Sequence, residues 1–145
     1  MNGNRITLPA AYMIETLRSN GVSDDTLLTQ VEQKDVSAWE ELSTFDFNDL
    51  VELYNHDQNT FKSILRDGYT VKFVTIRGLQ TLLKLRFDKI PERDYQLTSK
   101  GITQLRIEEQ QLTIITQMLS KNWIISEPSS PNNNEQFKEV TIELI

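Results

Sequence analysis

His56 is the one side chain in this sequence that ordinarily titrates near neutrality, so it is the natural candidate for a general base. It stands between Asn55 and Asp57 where a helix is expected to end, and no serine-centred nucleophile motif accompanies it. The expectation is an exposed or capping histidine. A single histidine also excludes a His-pair metal site unless two chains share it, and the absence of cysteine excludes disulfides, thiolate zinc sites, iron–sulfur clusters and cysteine nucleophiles. Adjacent acids occur at Asp24/Asp25, Glu40/Glu41 and Glu108/Glu109. Neighbours on a helix point about 100° apart, so these pairs do not converge as acid–base dyads; first-turn capping is the expected role. The five glycines are isolated, which leaves no phosphate-cradling loop of the Walker or dinucleotide kind. The chain therefore reads as a non-enzyme with no metal and no cofactor.

The charges carry the stronger lead. The net charge of −6 over 145 residues conceals three blocks. Residues 1–61 hold Arg5, Arg18 and Lys34 against eleven acids, a net −8. Residues 62–106 hold ten bases against four acids, a net +6, and residues 107–145 return to −4. A basic centre between acidic flanks suggests an anionic partner for the centre, unless the flanks fold over it and neutralise it internally.

Apolar spacing supplies the elements that must carry these residues. Pro9 suits the first turn of a helix whose stripe is Ala10, Met13, Ile14 and Leu17, stopped by Gly21. Ser23 is placed to cap a second helix with Leu27, Leu28 and Val31 inward. Ser37 and Glu40 have capping-box spacing for a short helix with Trp39 and Leu42. Asp46 is the next expected cap, with Phe45 and Leu50 as a hydrophobic staple and Phe47, Leu50, Val51 and Tyr54 inward. A helix after Asp57 buries Phe61, Ile64 and Leu65 and stops at Gly68. Tyr69 to Val74 alternates like a strand. Thr75 is placed to cap a helix over 76–87, with Ile76, Leu79, Leu82, Leu83 and Phe87 inward and Arg77, Lys84 and Arg86 on the other face. Beyond Pro91 come a short strand from Tyr95 to Leu97, a helix from Glu108 to Lys121 with Leu112, Ile115 and Leu119 inward, and a strand from Trp123 to Ile125. A polar loop over 127–136 and an alternating strand through Val140, Ile142 and Leu144 complete the chain. The aromatic side chains fall mostly at inward positions, as a core requires.

The run Tyr95-Gln96-Leu97-Thr98-Ser99-Lys100-Gly101 follows two helices and a proline turn. It resembles the end of the wing in winged-helix regulators of the MarR and PadR kind, where Tyr-x-Leu-Thr leads into x-x-Gly and a further helix. The resemblance covers roughly residues 58–105. It implies that the 76–87 helix enters a major groove and that 88–94 forms a wing on the backbone.

The expected fold is α+β: short helices first, then a small antiparallel sheet with packed helices, winged-helix-like in its middle. An acidic arm over 1–57 precedes an α+β unit over 58–145, as two parts or as one compact domain. The first functional expectation is a DNA-binding regulatory protein. Lys84, Arg86, Lys89, Arg93 and Lys100 would contact phosphates, Arg77 and Gln80 would contact base edges, and the arm would dimerise the chain or shield the basic face. The alternative is a small acidic protein that binds a protein partner through its N-terminal helices. No stretch reaches the length of a membrane span and the N-terminus has no apolar signal core, so a cytoplasmic protein is expected.

Overall fold

Residues 4–127 and 137–145 are described by the computed structural model. Side-chain caps set most of the helix starts. Thr7 accepts from the Ala10 N–H at the head of α1 (Leu8–Ser19), and Ser23 accepts from the Thr26 N–H for α2 (Asp24–Glu32). Asp57 and Thr75 do the same, through the N–H groups of Thr60 and Gly78, for α4 (Gln58–Asp67) and α5 (Ile76–Phe87). Each such cap satisfies one of the N–H groups a helix leaves open and contributes about 1 kcal/mol. The helix between them, α3 (Asn48–His56), has Asp46 accepting from the Asn48 N–H just ahead of it. At α6 (Glu109–Met118), Glu108 and Gln111 exchange bonds in a capping box. Ser37 and Glu40 do not: Ser37–Trp39 is a single 3₁₀ turn in which Ser37 donates to Asp35, and Leu42 is exposed.

The fold is α+β. Its main sheet is antiparallel, with strand order β3 (Gln96–Leu97), β4 (Gly101–Glu108), β6 (Phe137–Leu144), β5 (Trp123–Ser126). A second, parallel pair joins β1 (Arg5–Ile6) to β2 (Thr70–Val71), so the start of the chain is tied to its middle. Strand β4 was not expected from the sequence, and its bulge explains why. Ile102, Leu105 and Ile107 are all buried, yet the spacing between the first two breaks the two-residue period. An extra residue enters between them, with Gln104 at φ 56°, and the register against β6 shifts there. The strand occupies positions where the resemblance implies a helix. Gly101 opens it because a side chain there would collide with the Ile142 carbonyl.

The stretch 69–74 is shorter as a strand than its alternation suggests. Tyr69, Val71 and Val74 are buried while Phe73 is 61% exposed. After Val71 the chain bends into the Thr75 cap, and hydrogen bonds from several elements hold it there. The Lys72 N–H donates to the Ile6 carbonyl at 2.8 Å, the Val74 N–H to Ser120 Oγ at 3.0 Å, and Trp123 Nε1 to the Val74 carbonyl at 2.9 Å. This segment therefore joins the helical half to the sheet half. One hydrophobic cluster runs through both, from Met13, Ile14 and Leu17 through Leu79, Leu82 and Leu83 to Ile102, Ile115 and Ile142. Ala11 is buried in place of the expected Ala10, and Leu112 is only partly buried. The expected loop over 127–136 lies outside the described residues beyond Glu127.

Candidate functional site

Helix α5 lies against α1 and carries two different sets of polar residues on opposite sides. On the inner side, Leu79, Leu82, Leu83 and Arg86 fall at i, i+3, i+4 and i+7, so Arg86 continues the apolar stripe. Facing it on α1, Ala11, Ile14, Glu15 and Arg18 repeat the same spacing. Two opposite charges thus meet inside the α1–α5 interface.

The Glu15 carboxylate has no solvent-exposed surface. Tyr69 Oη donates to its Oε2 at 2.5 Å and Arg18 Nη1 at 3.0 Å. Arg86 Nη1 reaches Oε1 at 3.2 Å and Oε2 at 3.1 Å. Arg18 is held in turn by Asp24, through Nε at 2.9 Å and Nη2 at 3.3 Å, and by the Leu65 carbonyl at 3.2 Å. A buried carboxylate persists only when it is paired and hydrogen-bonded, as here. Burial works to lower the Arg18 pKa, but the Asp24 hydrogen bond and the Glu15 and Asp24 charges outweigh it and raise it above its ordinary value. Burial pushes the Tyr69 phenol far above its usual range, and the Glu15 charge pushes it the same way. The phenol therefore stays protonated and donates. Both Glu15 oxygens are engaged and closed to solvent, so this site clamps α1, α5 and the start of β2 together and offers no base to a substrate.

On the outer side of α5, Arg77, Gln80, Thr81 and Lys84 lie at i, i+3, i+4 and i+7. Arg77 and Lys84 are exposed, two turns and about 10 Å apart. The helix contains no Asp or Glu, and neither cation enters an ion pair among the described residues. Phe73 is exposed just ahead of its N-cap.

The remaining candidate residues scatter. Arg86 points inward to Glu15 rather than standing on a face with Arg77 and Lys84, as had been expected. Arg93 is held by Asp94, Nε to Oδ2 at 2.8 Å, and lies 3.7 Å from Asp88. Burial works to raise the Asp94 pKa, but the Ile90 N–H, Arg93 and the nearby Lys89 charge outweigh it, so the carboxylate sits below its ordinary range. Loop 88–94 is thereby braced from within. Lys100 is exposed in the turn between β3 and β4. His56 is exposed in the last turn of α3. Asp24 and Asp25 lie in the first turn of α2, whereas Glu40 and Glu41 follow the 3₁₀ turn. Among the described residues no helix is long and apolar enough to cross a membrane.

The charge block of the arm meets that of the centre at the Glu15–Arg86 contact. Elsewhere the arm's acids face water: Asp35, Glu40, Glu41, Asp46, Asp49, Glu52 and Asp57 are all exposed, and no Lys or Arg lies between 35 and 61. Glu15, Arg18 and Tyr69 were not among the candidates that residue types and spacing suggested. For the first two the signal was present, in charges sitting on helical apolar stripes.

No protein family, curated protein or solved structure matches this chain.

Proposed function

We propose that the chain is a non-catalytic DNA-binding regulatory protein that presents the outer face of α5 to duplex DNA. The observation that carries this reading is a twelve-residue helix with two exposed cations on one face and no acid along its length. On an otherwise acidic protein, such a face attracts a polyanion while the acidic surfaces turn the molecule to present it. Lys84 and Lys100 suit phosphate contacts, with Lys89 beside them in sequence. Arg77 and Gln80, in the first half of the helix, suit base edges, since Arg reads guanine and Gln reads adenine with paired hydrogen bonds. Phe73 offers an apolar contact ahead of the helix. The resemblance of 95–101 to a wing favours the same partner. Arg86 and Arg93, held by acids of the chain itself, drop out of the contact set.

A second reading rests on the exposed acids of 35–57. Seven carboxylates with no intervening Lys or Arg suit a basic protein surface, which the arm would engage much as the phosphates of a nucleic acid would.

Heparin chromatography followed by titration of a random duplex at rising salt separates the two. Retention and duplex affinity that both collapse with salt are expected for the DNA reading. Flow-through on heparin, with no duplex binding at low salt, would overturn it and leave the protein-partner reading.

A further inference from the structure

The inner face of α5 borders a cleft of about 240 Å³ whose lining includes Arg18, Arg66, Arg86, Gln117, Ile114 and Met118. The three arginines are not equivalent. Arg18 spends its Nε and both terminal nitrogens on Glu15, Asp24 and the Leu65 carbonyl. Arg66 is largely solvated and turned toward Asp67, Nη2 to Oδ2 at 2.9 Å. Arg86 uses one terminal nitrogen, Nη1, for both oxygens of Glu15. Its Nε–H and Nη2–H groups have no acceptor among the described residues, and its side chain is only 27% exposed. A guanidinium on the wall of a cleft, held through Nη1 with its Nε–H and Nη2–H left over, offers a fork for a planar oxyanion.

We propose that this cleft binds a small monocarboxylate, its two oxygens on the Nε–Nη2 edge of Arg86 and its short apolar stem against Ile114 and Met118. Size and charge both narrow the class. The volume lies below that of a drug-sized site. The charges around the cleft balance, Arg18, Arg66 and Arg86 against Glu15, Asp24 and Asp67, so a ligand that adds little charge is favoured. A single negative charge is the least that still engages a guanidinium fork. A phosphate dianion would place its second charge near Glu15 and Asp67 with no further cation to meet it. The Asp67 carboxylate is engaged by Arg66 and by the Ser63 hydroxyl, at 3.0 Å, and so supplies no acceptor to compete for Arg86.

The test is a titration of the full chain, labelled with ¹⁵N, with butyrate and separately with inorganic phosphate at matched ionic strength and pH, following the arginine Nε–H resonances. A saturable shift of the Arg86 resonance is expected with butyrate and none with phosphate. Arg66→Ala, at an exposed position, should keep the fold and weaken butyrate binding about three-fold by removing one cation from the rim. Arg86→Lys should weaken it at least about ten-fold, because an ammonium cannot offer the paired edge. If Arg86→Lys fails to fold, the Arg66→Ala result and the wild-type resonance still decide. Absence of a saturable shift, an equal response to phosphate, or butyrate binding unchanged in Arg66→Ala would each overturn the proposal.

Discussion

Arg86 and Lys84 stand two residues apart on one helix and meet opposite environments. Arg86 continues the apolar stripe of α5 and meets a carboxylate with no access to water. Lys84 faces solvent with no ion-pair partner among the described residues. Both belong to the same basic block of the sequence, so the block is not one functional unit. Helical geometry divides it, assigning one cation to the architecture and leaving another in solvent. The same contrast holds in the acidic arm, where Glu15 is structural and the carboxylates of 35–57 are solvated.

The largest effect that would sharpen this contrast is expected at Glu15. Glu15→Ala leaves Arg18 and Arg86 facing each other without their shared carboxylate. Removing one partner of a buried pair costs about 3–5 kcal/mol. The lower end, about 3 kcal/mol, is expected here because both guanidiniums keep some contact with water. Urea denaturation measures it, and a loss below about 1 kcal/mol would show that the inner site does not clamp the helices.

Tyr69→Phe comes next. It removes a hydrogen bond to a charged group, worth about 1.5–3 kcal/mol, and it also changes the pH dependence. The folded phenol has a raised pKa, so the folded state keeps a proton that the unfolded chain releases near pH 10. Its contribution is fully present below that pH and is lost as pH rises through the folded pKa. Denaturation at neutral and alkaline pH should show wild-type stability falling above about pH 10 and a shallower fall in Tyr69→Phe. Equal slopes would contradict a buried neutral phenol.

On the outer face, Arg77→Ala should relax sequence preference at one base pair, with a loss of discrimination of about 1–3 kcal/mol measured by competition between duplexes. A uniform loss across all sequences would make Arg77 a phosphate contact instead. The smallest effect belongs to His56→Ala. An exposed residue at a helix end should change stability by no more than about 0.5 kcal/mol and leave duplex binding intact. Abolished binding in the folded variant would move the functional surface from α5 to α3.

Much of the fold was legible in the sequence because local chemistry writes it. Thr75, Ser23 and Asp57 cap the helices their spacing suggested, and Leu79, Leu82 and Leu83 are buried together. Strand β4 was not legible because the bulge at Gln104 breaks its alternation. The 69–74 stretch misled for the opposite reason: its alternation was real in the sequence, but the bend after Val71 put Phe73 outside. Of the candidate site, Arg77, Gln80 and Lys84 were legible as one face. Arg86 was assigned by charge, although its spacing from Leu79, Leu82 and Leu83 already placed it inside. Tyr69 could not be found from local pattern, since its partner lies 54 residues away.

The division of the basic block is tested most directly by the salt dependence of duplex binding in wild type and Lys84→Ala. Removing a single phosphate contact should lower the slope of log affinity against log salt by about one unit. That decrease is predicted for Lys84→Ala, with weaker binding to specific and random duplexes alike and an unchanged melting temperature. An unchanged slope in the folded variant would contradict it, because the outward face of α5 would then carry no phosphate contact.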